Sequence, residues 1–265
     1  MNARKFYEAG QLQKAIEALD GEVKRHPTDA AVRGFLCEML CFSGNLERAD
    51  LQLDVIGHQD PQAMLGVSLW RQLIRAEQAR QQFYSDGRLP EFLGDPSPAL
   101  RLSLEASIRL RENQPAEAAK LLADADAARP AVAGTCDGQA FASLRDLDDL
   151  TASFFEVLTS NGKYYWIPME RVELVEFRPP ARPRDLLWRR AHMVVNGGPD
   201  GEVYLPAVYA GSQAIDDERV RLGRATDWLG GAGVPTRGVG QRMFLVGDEA
   251  RPILSLKEIT FKTAG

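Results

Sequence analysis

Part of this chain recurs 34 residues further on, and a repeat of that length limits the fold more than any other feature of the sequence. Gly10 returns as Gly44, Leu12 as Leu46, Ala15 as Ala49 and Pro27 as Pro61. Each position has a physical task in a helix–turn–helix unit. Glycine closes the first helix by taking a left-handed backbone conformation, alanine lets the second helix approach closely, and proline stops it. One such unit cannot cover its own apolar face, so neighbouring units must stack and share a core.

The Gly-x-Leu-x-x-Ala block, with Pro twelve residues beyond the Ala, resembles the second half of a tetratricopeptide repeat. Apolar side chains at three- and four-residue spacing predict helices over 2–9, 11–25, 29–42, 46–58, 62–83, 98–112 and 115–128. Asn113, Ala118 and Pro130 form a degraded further copy, 69 residues after Gly44, Ala49 and Pro61. A turn-rich break from Ser85 to Pro98 precedes it, so the array is irregular. Residues 1–130 therefore read as a tetratricopeptide-like helical superhelix with a concave face. With Gly44 at the inter-helix turn, Gly34, Glu38, Cys41 and Phe42 point into that groove. Shifting the frame nominates Leu65, Ser68, Gln72 and Arg75, then Ser103, Ser107, Leu110 and Arg111. Mixed apolar and polar groups suit an amphipathic helix as partner. The competing reading of Phe42, Leu65 and Leu110 is inter-helix core.

After residue 130 the pattern becomes mostly extended. Residues 131–138 are small and flexible, a linker by composition, and Arg145-Asp-Leu-Asp-Asp-Leu150 is expected to open a helix running to about Thr159. Strands are expected over 163–167, 172–177, 191–195, 202–209, 236–246 and 253–261, with a short helix near 216–222. Asn196 to Gly201 reads as a hairpin loop, and Gly230-Gly-Ala-Gly233 as a loop. The expected fold has two domains: the helical superhelix, then at 131–265 an α+β domain on a mainly antiparallel sheet or small barrel with short helices.

Composition excludes several classes. A net charge of −5 lacks the basic footprint of a general nucleic-acid binder. The N-terminus has no apolar leader and no run of eighteen apolar residues occurs, which reads as a cytoplasmic protein with no membrane partner. Cys37, Cys41 and Cys136 have no zinc spacing, and Cys37 and Cys41, four apart on one helix face, are small core residues sooner than metal ligands. Asp146, Asp148 and Asp149 admit a metal or acid–base reading, but aspartates at a helix start more simply cap its N–H groups. His26, His58 and His192 share no ligand spacing. Nothing calls for a catalytic residue, a metal or a cofactor. The most basic stretch holds Arg178, Arg182, Arg184, Arg189 and Arg190, which pair with carboxylates of a partner, with phosphates, or, as the favoured reading, with the chain's own acids such as Asp185.

Several long blocks then carry a resemblance: Arg145 to Leu150, Gly162-Lys-Tyr-Tyr-Trp-Ile-Pro168, Glu176-Phe-Arg-Pro-Pro-Ala-Arg-Pro-Arg-Asp-Leu-Leu-Trp-Arg189 and Gly198-Pro-Asp-Gly-Glu-Val-Tyr-Leu-Pro206, with His26-Pro-Thr-Asp29 and Cys41-Phe-Ser-Gly-Asn45 upstream. Together they resemble the ImpE family, also called SciE or TagJ. The resemblance implies a non-enzymatic accessory protein of the bacterial type VI secretion system, one that binds the N-terminal helix of the small contractile-sheath subunit TssB and acts on sheath assembly or recycling. A second reading places a small-ligand or enzymatic pocket around Asp146, Trp166 and Arg189.

Overall fold

The computed structural model describes residues 2–262. Seven α-helices come first: α1 (Ala3–Glu8), α2 (Leu12–Arg25), α3 (Ala30–Phe42), α4 (Leu46–Gln59), α5 (Met64–Asp86), α6 (Pro98–Arg111) and α7 (Pro115–Ala128). Their starts follow local chemistry. Asn2, Asp29, Asn45 and Ser97 each accept a backbone N–H of the first turn, and Pro98 and Pro115 stand at first helical positions. The repeat is visible in the backbone. Gly10, Gly44 and Asn113 have φ of 75°, 76° and 57°, and all three turns close with the same pair of bonds. The N–H of each bonds the carbonyl three residues back, and the next N–H bonds the carbonyl five further back, as in Gln11 to Phe6, Asn45 to Leu40 and Gln114 to Arg109. Asparagine tolerates the left-handed region, so the degraded copy keeps its turn. Ala15, Ala49 and Ala118 are fully buried where the paired helices meet.

Thirteen strands follow, with α8 (Glu218–Arg221) among them: β1 (Gly134–Cys136), β2 (Gln139–Phe141), β3 (Leu144–Asp146), β4 (Phe154–Leu158), β5 (Tyr164–Pro168), β6 (Val172–Phe177), β7 (Trp188–Val195), β8 (Asp200–Pro206), β9 (Thr226–Gly231), β10 (Val234–Gly240), β11 (Met243–Val246), β12 (Glu249–Pro252) and β13 (Glu258–Phe261). An eight-stranded sheet runs β2-β1-β13-β6-β7-β8-β4-β5, a three-stranded sheet β12-β11-β3, and β9 and β10 form a separate hairpin. Every pairing between these strands is antiparallel.

The helix expected over 145–159 is absent. Asp146 and Asp148 instead accept the N–H groups of Asp148 and Leu150, forming two successive turns between β3 and β4. β4 is buried along its whole length, Phe154 and Leu158 against the helices and Phe155 and Val157 between the sheets. An apolar run buried on both faces has no period of two, which is why it reads as helix from sequence. The expected linker contains β1, and the strand expected over 236–246 breaks at Gln241 into β10 and β11. The one expected over 253–261 opens with a short helical turn, Ile253–Ser255, and Gly230 to Gly233 turns the β9–β10 hairpin.

Two apolar clusters make the interior. One joins Leu19, Leu36, Leu53 and Leu73 of the helices to Phe154, Trp166, Trp188 and Val208 of the sheet half. The other, with Phe155, Ile167, Val175, Met193, Phe244 and Ile259, is enclosed by strands. Helices and sheet therefore share a core along α5.

Candidate functional site

Charged side chains cross that shared core. Glu156 on β4 lies between two hydrophobic neighbours yet points at α5, because alternation along the strand puts it on the same side as Phe154 and Leu158. Arg80 of α5 donates from Nε and Nη2 to the two oxygens of Glu156, each at 3.0 Å. Tyr84, Tyr164 and Arg242 also donate to this carboxylate. Arg80 reaches Glu77 at 3.1 Å and the Val208 carbonyl at 3.2 Å, and the Trp188 indole N–H closes on Glu77 at 3.1 Å. On the far side, Arg242 bonds Asp146 at 3.0 Å, which accepts the Tyr209 hydroxyl at 2.6 Å. Asp148 continues the chain with Arg237 and the Gly238 N–H.

Environment sets these charges apart. Burial acts upward on Glu156, but Arg80 and Arg242 outweigh it and hold the carboxyl well below the usual range. Burial raises Asp146 to about 6 despite Arg242, and raises Glu77. Burial also lifts Cys37 to about 12 and Cys41 well above a normal thiol, so neither is a ready thiolate. Among the described residues no three His, Cys, Asp or Glu side chains converge as a metal site. Glu156 faces five donors, an arrangement that fixes α5 on the sheet. Trp166 belongs to the same cluster, stacked on Phe154 with ring centroids 4.0 Å apart and bonded to the Tyr164 hydroxyl. Arg189, its expected companion beside Asp146, is on the other face of β7.

The nominated groove residues separate into three environments. On α3, Glu38, Cys41 and Phe42 are buried at 8, 4 and 2 % exposure, with only Gly34 partly open. Their face is covered by the chain's own segment around Pro183–Leu186. Arg184 lies against Glu38 and stacks on Trp70 at 4.4 Å, and Leu187 and Val208 join the same core. Burial raises Glu38 to about 7 in spite of Arg184. Ser103 and Ser107 are buried, Leu110 packs on the core, and Arg111 donates to the Phe83 carbonyl. The α5 set differs. Leu65 is 86 % exposed beside Met64 at 51 %. Ser68, Gln72 and Arg75 line a cleft of about 290 Å³ between α4 and α5, with Asp54, His58 and Arg71 on its walls. Arg71 is held across the cleft by Asp50 and Asp54, each at 2.7 Å.

Sequence reasoning missed Glu77, Arg80, Glu156 and Arg242. The available signal was a charge inside an apolar run, as in Phe154-Phe-Glu-Val-Leu158, and the i,i+3 pair Glu77 and Arg80 on an otherwise apolar helix face.

Fold and site together define a class: a helical layer fixed to an antiparallel sheet through a buried ionic cluster, with one cleft on the helical side between α4 and α5. The ImpE protein family model matches residues 138–260. The chain is also 33 % identical over 262 residues, 99 % of its length and 92 % of the relative's, to the type VI secretion system accessory component TagJ of Pseudomonas aeruginosa. It belongs to the ImpE family. Protein VPA1032 of Vibrio parahaemolyticus, known from a crystal structure, is similar in fold, with a TM-score of 0.92 and 26 % identity over 98 % of this chain and 97 % of that one. Among the described residues no helix is long and apolar enough to cross a membrane.

Proposed function

We propose that this chain is a non-enzymatic, cytoplasmic accessory protein of a type VI secretion system that captures the N-terminal helix of the small sheath subunit TssB and so influences sheath assembly or recycling. The accessory role follows its relative TagJ, and the partner follows the family resemblance. Residues 1–130 act as a tetratricopeptide-like domain, and 131–265 as the domain that braces it. The observation that carries the reading is the α4–α5 cleft beside Leu65 and Met64, since large apolar side chains standing in water next to a polar-walled cleft match the two faces of an amphipathic helix. Leu65, Ser68, Gln72 and Arg75 make the contact in this reading, while α3 and α6 support it from within.

Isothermal titration with a peptide covering the TssB N-terminal helix tests it. One-to-one binding with a negative heat-capacity change is expected, weakened at least tenfold by Leu65→Glu. Absence of binding by the wild-type chain at several temperatures overturns the partner. Equal binding by a folded Leu65→Glu variant overturns the site.

A further inference from the structure

The buried Arg189 makes no ion pair among the described residues. Arg189 on β7 is 4 % exposed, and neither its Nε nor its Nη1 meets a hydrogen-bond acceptor among the described residues. The β7–β8 register sets it opposite Leu205, and alternation sets it on the face of Ala191 and Met193, away from Glu77 and Glu156 on the helical side. Arg80 and Arg242 are by contrast each bonded to two carboxylates, although the Nε of Arg242 is also unmet.

The loop leading into β7 adds to the imbalance. Arg182 is exposed and makes no ion pair among the described residues, and Arg184 already faces Glu38. The acid within electrostatic reach of Arg189 is Asp185. Its Oδ2 is engaged by the N–H groups of Ala181 and Arg182, at 2.8 and 3.0 Å. A desolvated guanidinium whose donors go unmet is costly, and burial accordingly pulls its proton affinity down.

We infer that Arg189 is a receptor for an oxyanion, a carboxylate or phosphate group that takes the unmet N–H donors. A planar guanidinium with several donors matches the oxygens of either group, and partial burial makes each such bond stronger than at the open surface. This site lies outside the α4–α5 cleft and stands independently of the partner proposed there.

The test uses the full chain labelled with ¹⁵N-arginine, titrated with inorganic phosphate and separately with acetate, against sodium chloride at matched ionic strength. A saturable shift of one Nε–Hε resonance is expected, together with a rise in melting temperature. Both are lost in Arg189→Met. A response to phosphate alone identifies a phosphoryl ligand, and a response to acetate as well identifies a carboxylate site. No saturable shift with either anion overturns the inference, leaving water to satisfy Arg189. A shift that persists in Arg189→Met overturns it as well. Should Arg189→Met fail to fold, Arg189→Lys takes its place, with at least tenfold weaker binding expected and unchanged affinity refuting the site.

Discussion

Replacing Glu156 by glutamine attacks the point where helices and sheet are joined. The carboxylate accepts Arg80 through both oxygens at 3.0 Å, and Arg242, Tyr84 and Tyr164 converge on it. Its side chain is fully buried, and those of Arg80 and Arg242 are 3 and 2 % exposed. Glutamine keeps one acceptor oxygen but turns an NH₂ toward donors, so at least one guanidinium loses its partner inside the protein. Breaking a buried ion pair from one side costs about 3–5 kcal/mol. For a chain of this size, that corresponds to a melting temperature lower by roughly 10 °C. Urea unfolding followed by far-UV circular dichroism gives the free energy directly. Glu176→Gln, on the exposed Arg178 pair, serves as control with an expected loss within about 0.5 kcal/mol. A double-mutant cycle with Arg80→Met should return a coupling of about 2 kcal/mol or more. A Glu156→Gln loss below about 1 kcal/mol would refute the reasoning, because it would mean that water already reaches the cluster.

Three further outcomes follow from individual contacts. Glu38 titrates at about 7 in the fold against 4.5 in the open chain, so its contribution is complete below pH 4.5 and is lost as pH rises through 7. That loss is at most about 3 kcal/mol, and Asp146, at about 6, adds a smaller one in the same direction. Glu38→Gln should flatten melting temperature against pH between 4.5 and 8, whereas an unchanged profile assigns the slope elsewhere. Phe42→Glu places a charge at a position only 2 % exposed and should cost about 4 kcal/mol or more, while Leu65→Glu should melt like the wild type. Thermal melts of the two variants check this. Gly238→Ala would bring a Cβ within 2.3 Å of the Tyr209 ring, whose hydroxyl holds Asp146 and the Met243 backbone. A loss of about 1–3 kcal/mol in urea unfolding is expected, and wild-type stability would show that the ring can yield.

Different physics explains what could be read early and what could not. Helix limits were legible because capping residues and left-handed turns act within a few positions: α7 runs over the expected 115–128, and Asn113 repeats the turn of Gly10 and Gly44. Within the sheet half, β5 and β6 were legible from aromatic and alternating residues. β4 was not, because burial on both faces erases alternation. Of the nominated site residues, the α5 set stands open at the cleft, whereas the α3 set is covered by residues about 145 positions away in the chain. No local pattern carries that information.

The sequence by itself determined the helical repeat, its turns and small-residue contacts, since each is set by interactions between near neighbours along the chain. Tertiary structure alone decided which face of that array stays open, where the charges Arg80, Glu156, Arg242 and Asp146 meet, and that the Nε and Nη1 donors of Arg189 go unmet among the described residues. Those outcomes depend on how the sheet half docks on α5. Desolvation and ion pairing are properties of groups brought together in space, and the order of residues does not encode them locally.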